Sequence, residues 1–301
     1  MTLTTSAHNV RKVERVITAH RQLEGGGFVV RRAFPTRGYE RPDPFLMLDE
    51  MGPADYAPGE AVGAPDHPHR GFETVTYMLS GEFEHEDSAG HRGVIGAGDV
   101  QWMTAGQGVV HSEMPSQAIR DKGGRVHGFQ LWVNLPAKDK MVAPRYQEIP
   151  KARIPEARTP DGKAHVRVIA GQALGVAARI ETRTPITYLD WTLKPGAQVS
   201  VPLPPEQRGA VYVFGGSVKI GQEPGQETVS VGDGQLAVLG DGEAVTLAVD
   251  ADGGDARLLV LAGVPLREPV VQYGPFVMNT KEQIGQAIVD YQEGRLGSIS
   301  R

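Results

Sequence analysis

Short runs in which apolar and polar residues alternate recur along the chain, and nearly every run is closed by glycine or proline. Gly27–Phe34, Glu73–Leu79 and His127–Val133 carry the pattern in the first half, and Tyr188–Leu193 and Ala210–Phe214 in the second, with a Pro195-Gly196 turn between these last two. A period of two puts successive side chains on opposite faces of an extended strand, and Gly or Pro ends the strand in a turn. With 38 glycines and 22 prolines, the chain reads as all-β, built from many short strands rather than long helices. The exception is the end of the chain. Thr280-x-x-Gln283 has the form of a capping box, and Ile284, Ala287, Ile288 and Tyr291 follow at helical spacing before Gly294, which predicts a short amphipathic helix docked on a barrel.

The two halves read as copies. Gly81 aligns with Gly216 at an offset of 135, and the stretch from Gly98-Asp99 to Gly106 aligns with that from Gly232-Asp233 to Gly240 at 134. Duplicated β-barrels would show such a repeat, and 301 residues suffice for two domains that each bury a core. The polar, proline-bearing stretch from Pro136 to Lys163 reads as the connection, with room for a short strand inside it. The expected domains are residues 1–140 and 141–301.

Composition removes several classes of function. The formal charge of -5, with 31 basic against 36 acidic residues, offers no basic stretch for a run of phosphates, so direct nucleic-acid binding is not expected. Cysteine is absent, which removes thiolate metal sites and thiol chemistry. The first residues contain no unbroken apolar core of a signal peptide, and no stretch of about 18 apolar residues would cross a membrane. The expectation is a soluble, cytoplasmic protein.

Chemistry concentrates in Asp66-His67-Pro68-His69-Arg70-Gly71-Phe72-Glu73 and, about forty residues later, in Val110-His111-Ser112-Glu113-Met114-Pro115. On an extended strand residues two apart share a face, so His67 with His69, and His111 with Glu113, can each present two ligands to one side. Three imidazoles and a carboxylate suit one first-row divalent metal and leave coordination positions open for substrate or oxygen. Glu73 has the parity to join them, but a straight strand would carry it about 13 Å from His69. A turn at Arg70–Phe72 could bring it back, so it stays open as a ligand or catalytic base. His85 and His91, in the polar stretch HEDSAGH, read as solvated loop residues, and His127 as a surface or supporting residue. At the repeat offset, Pro202 and Pro204 stand for His67 and His69, and Val245 and Leu247 for His111 and Glu113. All nine histidines lie at or before His165, so the second half has no matching ligand set and reads as structural.

With these residues in view, the sequence resembles the pirin family of the cupin superfamily. The matching blocks are PFLMLDE (44–50), HPHRGFETVTYMLSGEFEHEDSAGH (67–91), GDVQWMTAGQGVVHSEMP (98–115), HGFQLWVNLP (127–136) and MNTKEQIGQAIVDYQEGRLG (278–297). The resemblance implies two tandem jelly-roll-like cupin barrels packed face to face, with iron, Fe(2+), held by His67, His69, His111 and Glu113 in the first. Imidazole and carboxylate ligands also accept other first-row metals. The generic cupin pattern would instead favour Glu73 as the carboxylate; the spacing from Gly106 to His111 fits the pirin variant better.

Two roles follow from the resemblance. One is a quercetin 2,3-dioxygenase-like enzyme that cleaves a planar phenolic flavonol with dioxygen and releases carbon monoxide, with Glu113 or Glu73 as the base. The other is a non-enzymatic, redox-responsive transcription cofactor acting through a protein partner.

Overall fold

The computed structural model describes residues 9–40, 42–221 and 228–301. Strands dominate, as the alternation predicts, and they form two compact units. One comprises residues 20–153 with 266–301, the other residues 9–19 with 154–265. The split is therefore not the single cut between residues 140 and 141 that the sequence suggests.

The departure has a local cause at each place. The first strand, β1 (Val13–Thr18), pairs with Gln235–Leu239. The buried Arg11 just before it donates to the carbonyls of Gln207 and Pro204, each at 2.8 Å, which ties residues 9–19 to the second-half unit. In the predicted linker, Arg145–Ile149 pairs with Val100–Thr104 and Glu156–Arg158 pairs with His165–Arg167. The linker is thus two edge strands, one for each unit, and the boundary falls after Arg153.

The histidine-bearing unit continues with β2 (His20–Glu24), β3 (Phe28–Phe34), β4 (Phe45–Tyr56), β5 (Ala64–His69), β6 (Phe72–Ser80), β7 (Phe83–Asp87), β8 (Arg92–Ile95), β9 (Val100–Thr104), β10 (Val109–Pro115), the short helix α1 (Gln117–Lys122), β11 (Gly124–Asn134) and β12 (Arg145–Ile149). Seven strands form one antiparallel sheet in the order β12-β9-β6-β11-β4-β3-β2, and four form a second in the order β5-β10-β7-β8. Hydrogen bonds join their inner faces: Gln101 on β9 to His85 on β7, 2.9 Å, Gln130 on β11 to Glu113 on β10, 3.0 Å, and Thr76 on β6 to Glu113, 2.7 Å. The space between these sheets is the cup.

The second unit repeats the plan with a seven-stranded and a four-stranded sheet, and its registers correct the sequence alignment. His111 pairs with His67, and the corresponding pair is Val245 with Val201. The counterparts of His67 and His69 are therefore Val201 and Leu203, one residue earlier than the prolines at the repeat offset. Val201, Leu203, Val245 and Leu247 are all buried in one apolar core. Likewise, Gly98 donates to Met78 O as Gly234 does to Val213 O, both at 2.8 Å, so Gly98 matches Gly234 rather than Gly232. The second cup is filled with hydrocarbon where the first has imidazole.

The predicted terminal helix is α2 (Lys281–Gln292), and its capping box is complete. Gln283 N donates to Thr280 Oγ1 at 3.2 Å, and Thr280 N donates back to Gln283 Oε1 at 3.1 Å. Ile284 and Ala287 bury against Phe276 and Met278 of the preceding hairpin, with Ile288 partly buried beside them. Tyr291, the fourth residue of the expected apolar stripe, is 42% exposed.

This tail is tied to the loop that follows His69. Gly71 has φ +87°, and a Cβ there would stand 2.0 Å from the Val277 carbonyl oxygen. Lys140, 1% exposed, donates to Gly71 O (2.8 Å), Asn134 Oδ1 (2.7 Å) and Val277 O (3.0 Å). Burial lowers the Lys140 pKa to about 8. Lys140→Met would leave three buried acceptors without their donor, each costing about 1 kcal/mol or more. Denaturant unfolding of that variant should show a loss of roughly 3 kcal/mol; a loss below about 0.5 kcal/mol, typical of a surface change, would contradict the clamp.

Candidate metal centre

Cross-strand pairing assembles the centre. Antiparallel partners in register share a face, so His67 on β5, His111 on β10 and Asp87 on β7 stand in one row, with Glu113 and His85 in the neighbouring row. His69 joins from the position two beyond His67. The ligand nitrogens of His67, His69 and His111 lie within 4.8 Å of one another, and the ring centroids are 4.3 to 4.9 Å apart.

The hydrogen bonds of these rings fit a cation. His67 Nδ1 lies 2.7 Å from the Pro65 carbonyl and His69 Nδ1 lies 3.4 Å from that of Pro275. A carbonyl can only accept, so each Nδ1 carries the proton and each Nε2 presents a lone pair. Those two Nε2 atoms face each other at 3.1 Å. Both nitrogens of the fully buried His111 lack a hydrogen-bond partner among the described residues. Opposed lone pairs and an orphaned imidazole are costly without a shared electrophile, and a divalent metal would satisfy all three rings. Burial, followed by the charge of the neighbouring histidines, pushes the pKa values of His69 and His111 well below the usual value, so both are neutral and ready to ligate at pH 7.

Glu113 is placed differently from the three histidines. A register shift between His111 and Glu113 interrupts the β10–β5 ladder. Its carboxylate accepts from Thr76 Oγ1 at 2.7 Å and Gln130 Nε2 at 3.0 Å, and it lines the same pocket as His67 and His69. Glu73 stands apart. Thr76 faces the pocket from β6, so Glu73, three residues earlier, projects from the opposite face, where its Oε1 accepts from Thr104 Oγ1 at 2.6 Å. The turn at Arg70–Phe72 does not return it to the histidines.

His85 corrects the loop reading. It is 1% exposed on β7, where Phe83, His85 and Asp87 form the buried half of an alternating strand. Its ring lies 5.4 Å from that of His111 and bonds to Gln101 and Asp87. Asp87 also binds His91 at 2.9 Å, and Tyr146 stacks on both imidazoles. The parity of FEHED was the available signal, masked by its polar composition. His127 pairs with Glu50 at 2.8 Å, away from the centre.

The tail supports the centre from behind. Arg70 holds Asp290 of α2 at 2.7 Å and donates to Gln107 O at 2.5 Å. Hydrogen bonds from Gln286, Arg295 and Arg70 keep the Asp290 carboxyl well below the usual carboxylate range. Ser88 Oγ donates to Leu296 O at 2.8 Å and accepts from Val110 N at 3.0 Å, next to His111.

A pocket of about 580 Å³ opens on the centre, within the range of small-molecule sites. Leu46, Met47, Met51, Phe83 and Trp132 give it apolar walls, and the Trp132 ring meets that of His69 edge-on at 5.2 Å.

Comparison with known proteins agrees with this geometry. Residues 27–133 match the pirin family, and residues 188–297 match the pirin C-terminal cupin domain. The chain belongs to the pirin family. It is 46% identical to a pirin-like protein of Solanum lycopersicum over 95% of this chain and 93% of the relative. It is 44% identical to pirin of Homo sapiens over 95% and 94%. Among solved structures it is similar to quercetin 2,3-dioxygenase from Acinetobacter baumannii, with TM-score 0.89, 38% identity and coverage of 97% and 100%. The bicupin architecture is thus that of the family, and the three histidines form a group in its first cup that could hold a metal ion.

Two substitutions test the centre by metal analysis after dialysis. His111→Ala should abolish stoichiometric metal retention; unchanged content would overturn the assignment. Asp290→Ala, which releases Arg70 behind His69, should weaken retention by about tenfold, as loss of an outer support typically does.

Proposed function

We propose that this pirin is a metal-dependent dioxygenase that cleaves a flavonol such as quercetin, consuming one dioxygen and releasing one carbon monoxide. The observation that carries the reading is the pairing of a three-histidine cluster with an apolar pocket large enough for planar rings. The similarity to quercetin 2,3-dioxygenase from Acinetobacter baumannii supports it.

In this reading His67, His69, His111 and Glu113 hold the metal, Fe(2+) by family resemblance, and when bound it supplies the Lewis acidity that makes the flavonol 3-hydroxyl easy to deprotonate. Trp132, Met47 and Met51 seat the rings and exclude water from the reacting edge.

Glu113 receives the hydroxyl proton. Thr76 Oγ1 lies 2.7 Å from both Glu113 Oε1 and Gln130 Oε1, yet its single proton serves only one of them. With an anionic Glu113 the Thr76–Gln130–Glu113 ring is one proton short. A proton on Glu113 Oε1 would donate to Thr76 and free Thr76 to donate to Gln130, while Gln130 Nε2 continues to hold Glu113 Oε2. The ring thus makes a closed receptacle for one proton. Glu73, on the opposite face, is not needed as the base.

Anaerobically loaded protein mixed with quercetin and oxygen should consume the flavonol and release carbon monoxide in equal amounts. Glu113→Gln should lower kcat by about 10²-fold or more, the usual loss for a general base. Metal-replete protein that shows no turnover with iron, manganese, cobalt, nickel or copper would overturn the dioxygenase reading and favour a regulator working through a protein partner.

A further inference from the structure

The registers align one polar row across the floor of the cup. Gln101 pairs with Thr76, Thr76 with Gln130, Gln130 with Asp49, and Asp49 with Arg32. In-register partners share a face, so these five side chains run side by side across β9, β6, β11, β4 and β3. The flanking rows on that face are mainly apolar: Met103, Thr74, Trp132 and Met47 on one side, and Met78, Gly128, Met51 and Val30 on the other. The near end of the polar row belongs to the centre, where Thr76 and Gln130 hold Glu113. The far end has no part in the chemistry described above, although Asp49, Arg32 and Glu24 all line the same pocket.

That far end is built. Arg32 grips Asp49 with two hydrogen bonds, Nε to Oδ1 at 2.7 Å and Nη2 to Oδ2 at 2.6 Å, and the same guanidinium meets Glu24 at 2.8 Å. Asp49 is 3% exposed. One guanidinium between two carboxylates leaves a net negative charge, and each carboxylate keeps acceptor capacity. The chemistry that satisfies such a wall is a pair of neutral hydroxyl donors, whereas a second carboxylate or a phosphate would be repelled.

Spacing selects where those donors sit. Asp49 is two strands from Thr76, roughly 10 Å at the usual interstrand distance. A three-ring flavonol has a comparable reach between the 3-hydroxyl at the metal end and the hydroxyls of its distal ring, with its ring faces left to the flanking apolar rows.

We propose that Asp49 and Glu24, bridged by Arg32, are the specificity determinants that read vicinal hydroxyls on the end of the substrate remote from the metal. The proposal rests on the flavonol reading and fixes which flavonols are preferred. A hydrogen bond from a hydroxyl to a buried carboxylate is a charge-assisted one, enough for about tenfold in affinity or more.

The test is an equilibrium titration of the full chain, loaded with ferrous iron under argon, with quercetin, which carries the hydroxyl pair, and with galangin, which lacks it. Wild type should bind quercetin about tenfold or more tighter, and Glu24→Gln should bring the ratio close to one. Asp49→Asn should do the same, but Glu24, less buried, carries the result if that variant fails to fold. Leu23→Ala, on the exposed face of the same strand, should keep the wild-type ratio. Equal binding of the two flavonols by wild type, binding of neither, or a preference that survives Glu24→Gln would overturn the proposal. Since oxygen is absent, a retained preference without carbon monoxide release on later aeration would sink only the dioxygenase reading, and turnover without preference only the subsite.

Discussion

The antiparallel pairing of His111 with His67 fixes most of what this unit must do. Once these residues stand opposite each other on β10 and β5, strand parity places His69, Glu113, His85 and Asp87 on the same inner face. Three imidazoles then crowd a space within 4.8 Å, and burial lowers the pKa values of His69 and His111 so that both are neutral. Their protons cannot satisfy one another: two backbone carbonyls claim the Nδ1 protons of His67 and His69, and His111 has no hydrogen-bond partner among the described residues. The strain is of the kind a cation removes. The surrounding structure holds this arrangement in place through Arg70, Lys140 and the C-terminal hairpin and helix.

The second unit shows what the same framework does without that demand. Its equivalent positions, Val201, Leu203, Val245 and Leu247, are buried in an apolar core, and Ile220 stands where His85 does. Hydrocarbon there gains burial energy with no polar group to satisfy. The duplicated barrels have therefore diverged in opposite directions: one keeps a polar, strained cup able to bind a metal, and the other has become a filled core.

Much of this was legible in the sequence because it depends on local parity. The alternating runs gave the strands, H-x-H and H-x-E gave one face of two strands, and Thr280-x-x-Gln283 gave the capped helix. What failed depended on long-range register. The repeat offset named Pro202 and Pro204, since spacing alone does not show which residue is opposite Val245. A single domain cut missed that β1 completes a sheet of the second-half unit, because an edge strand's partner is not encoded in its own pattern. Glu73 lies three residues before the pocket-lining Thr76 and so on the other face of β6, which its own parity with His69 did not reveal because the turn at Arg70–Phe72 intervenes. His85 looked solvated within a polar stretch, although its parity with Phe83 and Asp87 placed it inside. The row from Gln101 to Arg32 spans five strands, and no local reading of the chain assembles it.

The central claim is one metal in the first cup, held by rings that the fold has already arranged. Anomalous diffraction from a crystal of iron-loaded protein, recorded at the iron edge, tests it most directly. The account predicts one strong peak per chain, about 2.0–2.2 Å from nitrogens of His67, His69 and His111. A map with no peak there, or with its strongest peak beside Val201 and Val245, would contradict it.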